Sequence, residues 1–225
     1  MSEGAFLVLE GIDGSGTTTQ AALLAEALRA RGHEVVLTRE PTSRALGSLL
    51  RAALQHRLTL PSGEPTTLPP ASLALLFAAD RLDHLAHVVE PALNRGAIVI
   101  SDRFDLSSLV YQSATDPEGA AALAWLRSIN GRARRPDLTI VVDVPAEVAE
   151  ERRRRRGGEA ELFEQKALQE RLADSYGRAE TLVPGDRVVH LRGDQAEELV
   201  AADLLAVVLA ELDCSRLAPR AEKTP

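Results

Sequence analysis

"GIDGSGTTTQ" (residues 11–20) has the glycine spacing G-x-x-x-x-G of a loop that cradles phosphate, and it directly follows a short apolar run, "AFLVLEG" (5–11). A buried strand that ends in such a loop and opens a helix gathers backbone N–H groups and a helix N-terminus around one point, which makes an anion site. Gly11, Gly14 and Gly16 let the backbone turn and approach the anion with no Cβ in the way. In the pattern G-x-x-x-x-G-K-[ST] the last hydroxyl belongs on Mg2+, and Thr18 holds that position. Thr17 stands where the pattern has lysine. A threonine can hydrogen-bond a phosphate but cannot neutralise one. Read without its surroundings, the stretch could also be a Gly-rich turn capped by threonine, with no ligand.

Further along, the chain repeats the strand–helix alternation. Apolar runs predict strands at "EVVLT" (34–38), "AIVIS" (97–101), "LTIVVDV" (138–144) and "RVVHL" (187–191). Helical spacing is predicted over 17–31, 43–54, 71–94, 106–130, 146–156, 162–180 and 196–212, with a Pro-rich loop at 61–70. Five apolar strands alternating with helices predict an α/β protein: one parallel sheet covered on both faces. At 225 residues the chain suits one such domain.

Composition narrows the function. A net charge of −7 argues against bulk nucleic-acid binding. No apolar run approaches the roughly 20 residues of a membrane span. No signal peptide is visible. The single cysteine, Cys214, fits a reducing compartment. Lys166 and Lys223 are the only lysines among 26 basic residues. Arginine is therefore the available cation.

Asp102 and Arg103 end the run "IVISDRF" (98–104). A carboxylate at that strand end faces the same crevice as the phosphate loop, where it can hold Mg2+, and Arg103 beside it offers a bidentate fork to a phosphate. Phe77 and Arg81 are four apart, so one helical face presents a ring and a guanidinium, either as a nucleobase platform or as core packing. Ser108 and Tyr111 share a helical turn. Asp80, His84 and His87 have metal-like spacing, but a solvated helix face is the expected reading.

Taken together, "GIDGSGTTTQ", "TREP" (38–41), "LLFAADR" (75–81), "DRFDLSSLVYQ" (102–112) and "RPDLTIVVDVPAEVAEER" (135–152) resemble the bacterial thymidylate kinases, in order, over residues 5–210. The resemblance implies a three-layer P-loop NTPase fold: a five-stranded parallel sheet flanked by helices, as a single domain over 1–213. It also implies a mobile lid about 151–165, and 214–225 reads as a disordered tail. The implied reaction transfers the γ-phosphoryl group of ATP to dTMP with Mg2+, in a cytoplasmic homodimer. ATP would lie on Gly11, Ile12, Asp13, Gly14, Ser15, Gly16, Thr17, Thr18 and Thr19, and the metal on Thr18 and Asp102. Asp13 would hold the sugar 3′-hydroxyl of dTMP, Phe77 stack on thymine, Arg81 bond its O4 edge and Arg103 grip the acceptor phosphate. Ser108 and Tyr111 would screen the 2′ position and Gln112 contact the base. Arg39, Glu40 and Pro41 would form the segment beside the acceptor site, without individual roles.

Two departures mark this chain. Thr17 replaces the loop lysine. The lid segment "ERRRRRGGEAELFEQ" (151–165) has Glu161-Leu162-Phe163-Glu164 in place of the usual Asp-Arg-hydrophobe-Glu. Phosphoryl transfer needs positioning and charge neutralisation above all, so Arg152, Arg153, Arg155 or Arg156 is expected to close over the γ-phosphate in the lysine's stead. Two alternatives stay open at this level: a nucleotide-binding homologue without catalysis, and a kinase for another nucleoside monophosphate.

Overall fold

The computed structural model of the protein describes residues 4–157 and 166–217. Five parallel strands, β1 (Phe6–Glu10), β2 (Val35–Arg39), β3 (Ile98–Asp102), β4 (Leu138–Asp143) and β5 (Val188–Arg192), lie in the order β2-β3-β1-β4-β5. The inner three are mainly apolar because helices cover both of their faces, and nearly all their residues are buried. The edge strands β2 and β5 are only partly covered.

Ten α-helices complete the described residues: α1 (Thr17–Arg29), α2 (Ala45–Leu54), α3 (Pro70–His84), α4 (Glu90–Asn94), α5 (Asp105–Thr115), α6 (Leu123–Asn130), α7 (Ala146–Arg156), α8 (Lys166–Tyr176), α9 (Ala179–Leu182) and α10 (Glu197–Leu217). Alternation along β1 divides the core. Leu7 and Leu9 meet Leu24 and Leu28 of α1 and Leu204 of α10 on one face. Phe6 and Val8 meet Val89, Leu93 and Phe104 on the other. A third cluster joins Leu106 and Leu109 of α5 to Val141 of β4 and Leu172 of α8. Burying each such leucine contributes about 1.5–3 kcal/mol.

The elements follow the expected pattern with local differences. The helix expected over 71–94 contains a π-helical turn, Leu85–Val89, between α3 and α4. The last helix continues past Leu212 to Leu217. Residues 158–165, with the outer part of the expected lid and Glu161–Glu164, lie outside the described residues, as do 218–225 of the expected tail.

Two features place the site. β1 and β3 are neighbours, and Leu9 pairs in register with Asp102, so both strands end at the same level. α1 then packs on one face of the sheet and α5 on the other. The chain diverges there and leaves a crevice at the carboxyl ends of the strands, where open α/β sheets bind ligands.

Candidate functional site

The phosphate loop is shaped by contacts that only glycine permits. Gly14 has φ +93°, and a Cβ there would lie 2.5 Å from the carbonyl oxygen of Ala149 on α7. At Gly11 a Cβ would come within 2.6 Å of Ser15 Oγ. The amides of Thr17, Thr18 and Thr19 open α1, and Gly16 before them supplies no side-chain cap. The N–H groups of such a first turn have no intrahelical acceptor and point at the cavity. Asp13 through Thr19 line a cavity of about 390 Å³. Gly11 and Ile12 lie behind it; Ile12 is part of the core, and its carbonyl accepts the Ser15 N–H at 3.0 Å.

Thr18 and Asp102 meet as expected: the Thr18 hydroxyl donates to Asp102 Oδ2 at 2.5 Å. Asp102 Oδ1 is buried with no hydrogen-bond partner among the described residues. A buried carboxylate oxygen left unpaired beside a hydroxyl, at the phosphate loop, suits a hard cation that takes oxygen ligands.

Arg103, the next residue, has φ +75°, a conformation rare outside glycine that persists where the surroundings enforce it. Here the enforcement is visible. Its N–H donates to Leu9 O at 2.8 Å, Nη1 donates to Gly11 O at 2.9 Å, and Nη2 pairs with Asp13 Oδ1 at 2.6 Å. The guanidinium also lies 5.2 Å from the centre of the Tyr111 ring. Burial pushes the Tyr111 hydroxyl well above its usual range.

A second cavity, lined by Asp13, Glu40, Pro41, Leu54, Phe77, Arg81, Arg103, Ser108, Tyr111 and Gln112, opens from the other side of Arg103. Arg81 is almost wholly buried there. It pairs with Glu40 at 2.8 Å, donates to Phe104 O at 3.1 Å and Ser108 Oγ at 3.0 Å, and also to Asn130 Oδ1. Arg81 Nε and Gln112 Oε1 are buried with no partner among the described residues. Phe77 both lines this cavity and packs on the core.

Arg39, Asp80 and His84 do not line this cavity, whereas Ser108 does. Arg39 is exposed on a neighbouring cavity with Thr18, Thr42 and Asp102; Glu40 and Pro41, next along the chain, line the second cavity instead. The Ser108 hydroxyl is engaged by Arg81, whereas Ser107 is the serine that touches Arg103. Asp80 and His84 are not on a solvated face. Asp80 accepts from the N–H and hydroxyl of Thr42 at 2.8 and 2.6 Å, and His84 bridges Thr38 and Glu40. They do not form a metal cluster among the described residues.

The arginines of α7 divide by helix face. Arg152 donates to Ser15 O at 3.1 Å and Gly193 O at 2.8 Å; Arg153 donates to Asp13 O and to Gln169 Oε1. Both are therefore fixed against the phosphate loop, and they line its cavity together with exposed Arg156. Arg155 departs from expectation: like Arg154 it pairs with Glu151 and points to solvent. The sequence reading did not place Glu10, Ser107, Asn130 and Tyr176 in this site, and Glu40 entered it only as one of the segment beside the acceptor. A glutamate closing an otherwise apolar strand, as Glu10 does, is the one local signal among them.

Fold and crevice together define a P-loop kinase: a 2-3-1-4-5 parallel sheet, a glycine cradle after β1, a carboxylate ending β3, and arginines brought over the cradle. Comparison with known proteins names the family. Residues 9–202 match the thymidylate kinase family. The chain is 39% identical over 209 residues to a probable thymidylate kinase of Pyrococcus horikoshii, covering 93% of this chain and 98% of that one. It is 40% identical over 222 residues to the thymidylate kinase of Ruegeria pomeroyi, covering 95% and 98%. With the thymidylate kinase of Thiobacillus denitrificans it shares 44% over 175 residues, covering 77% and 81%. The protein belongs to the thymidylate kinase family.

Proposed function

We propose that this protein transfers the γ-phosphoryl group of ATP to dTMP, giving dTDP and ADP. One observation carries the reading: the cradle cavity and the nucleoside pocket meet at Asp13 and Arg103, which line both. A donor triphosphate in one and an acceptor monophosphate in the other would bring their phosphates together at the Arg103 guanidinium.

In this arrangement Arg103 holds the acceptor phosphate and Asp13 the sugar hydroxyl. Phe77 stacks on the base, and Arg81 and Gln112, with their unpaired polar atoms, meet its edge. Arg81 offers only donors, so it favours a carbonyl over an amino group at that edge. Thr18 and Asp102 would hold Mg2+, which supplies charge neutralisation on the phosphate oxygens. Gly14 leaves no room for a side chain, so cations reach the cradle from α7. Arg152 and Arg153 are pinned to loop carbonyls and shape the cradle; Arg156, exposed and without a partner among the described residues, is free to close on the γ-phosphate.

We also propose a homodimer, supported by the exposed Leu75 and Leu82, two helical turns apart on α3, and by Leu37 on the edge strand. The cytoplasm, where nucleotide pools and reducing conditions coincide, is the proposed setting; among the described residues no helix is long and apolar enough to cross a membrane. Thr17 is the observation behind a catalytically silent homologue, and the arginines lining the cradle weigh against it. The test is ADP release with purified protein, ATP and Mg2+ against dTMP, dUMP, dCMP and AMP. Fastest turnover of dTMP, abolished by EDTA, is expected. Binding of both nucleotides without turnover would establish the silent homologue instead.

A further inference from the structure

Glu10 has no solvent exposure at all, yet its carboxylate accepts four hydrogen bonds. Oε1 takes the backbone N–H groups of Phe104 at 2.8 Å and Ser107 at 3.2 Å. Phe104 precedes α5 and has no side-chain oxygen to cap it, so a carboxylate from the adjoining strand does so. Oε2 takes the hydroxyls of Ser107 at 2.6 Å and Tyr176 at 2.9 Å. The same two hydroxyl oxygens lie 3.1 and 3.3 Å from Nη1 of Arg103.

A hydroxyl has one proton to give. If both are given to Glu10, both oxygens turn lone pairs towards the guanidinium, and the 2.9 Å contact between the hydroxyls stays free of a competing bond. We propose that Glu10 is a positioning residue for Arg103: as a carboxylate it orients the Ser107 and Tyr176 hydroxyls as acceptors that hold the fork towards the acceptor phosphate. This rests on the acceptor-site reading of Arg103 given above. A neutral Glu10, or an amide, must donate to one of these oxygens, and a hydroxyl so engaged turns its own proton elsewhere, towards its neighbour or towards Arg103. The charged and titratable groups around Glu10 are Arg103 beyond β3, Tyr111 on α5 and Tyr176 on α8, with Asp13 across the guanidinium. Burial pushes the Glu10 carboxyl up to about 7 against the pull of Arg103 and the hydrogen bonds, which places its two states on either side of neutrality.

The experiment compares wild type, Glu10→Gln, the Ser107→Ala/Tyr176→Phe double variant and the triple variant at pH 8, with KM for dTMP and for ATP measured separately. Glu10→Gln is expected to raise KM for dTMP about tenfold while KM for ATP stays within about twofold, and to add nothing in the double-variant background. A full additional loss in the triple variant would overturn the proposal, because Glu10 would then act without the hydroxyls. A second readout does not depend on turnover. In 15N-arginine-labelled protein the Arg103 side chain, assigned with Arg103→Lys, should show restricted guanidinium rotation in wild type and faster rotation in Glu10→Gln. Equal rotation in both refutes the proposal. Restricted rotation in a wild type that neither binds nor phosphorylates dTMP refutes the acceptor-site reading alone. Should Glu10→Gln fail to fold, Tyr176→Phe is expected to raise KM for dTMP about threefold with KM for ATP unchanged, and no change there overturns the proposal.

Discussion

Replacing Arg156 by alanine tests how a cradle without its lysine handles a triphosphate. Arg103 is neutralised by Asp13 at 2.6 Å, and Arg152 and Arg153 are fixed on loop carbonyls, so Arg156 is the guanidinium of the cavity without a partner among the described residues. A unit charge about 5 Å from a phosphate oxygen, at an effective dielectric constant of about 20, contributes about 3 kcal/mol, or a little over two orders of magnitude in rate. Arg156→Ala is therefore expected to lower kcat about 100- to 300-fold and leave dTMP binding unchanged. Because the side chain is exposed, stability should stay within about 0.5 kcal/mol. Arg155→Ala is the matched control: the same charge is removed from the next residue, but there it is paired with Glu151 and faces solvent. It should change kcat by less than about twofold. The assay is ADP release at saturating dTMP with calorimetric dTMP binding alongside. Equal losses in the two variants would mean that a diffuse field of arginines is at work, and the argument from helix face would fail.

Restoring the lysine tests the same idea from the other side. Thr17→Lys should raise kcat less than about tenfold in wild type but recover most of the loss in Arg156→Ala, since both cations serve one anion. The raised Glu10 pKa fixes the sign of a pH effect on stability. In the unfolded chain the group titrates near 4.5 and in the folded protein near 7, so its contribution is fully present below 4.5 and is lost as pH rises through 7. The loss is of the order of 3 kcal/mol, and urea unfolding of Glu10→Gln should lack that slope; an unchanged slope would locate the titration elsewhere. Arg81→Met leaves Glu40 and Asn130 without their shared partner in the interior, and a loss of about 3 kcal/mol is expected on urea unfolding, together with loss of dTMP binding.

Much of what stands at the carboxyl ends of the strands is local and was legible. A strand, a glycine loop and a helix succeed one another in sequence, so "GIDGSGTTTQ" places a glycine cradle at the strand end without help from the rest of the chain. Asp102 and Arg103 were legible for the same reason, as the polar end of a buried run. Arg155 and Arg156 were not separable, because adjacent positions on a helix differ by about 100° in direction and nothing local says which direction meets another element. The contact of Ala149 with Gly14 settles it by setting the rotation of α7 against the loop. Arg39 against Glu40, and Ser107 against Ser108, are the same problem on a strand and on a helix: neighbours face opposite or divergent ways, and packing selects one.

The sequence by itself determined the parallel α/β architecture, the cradle, and the absence of a lysine from it, since each depends on residue order and spacing alone. Tertiary structure alone decided which guanidiniums reach the cradle and what holds Arg103 in place. Glu10, Ser107 and Tyr176 lie up to 166 residues apart and meet only because β1, α5 and α8 converge. Hydrogen bonds between such distant residues leave no periodic trace in the chain. They exist only once the sheet has brought the elements together.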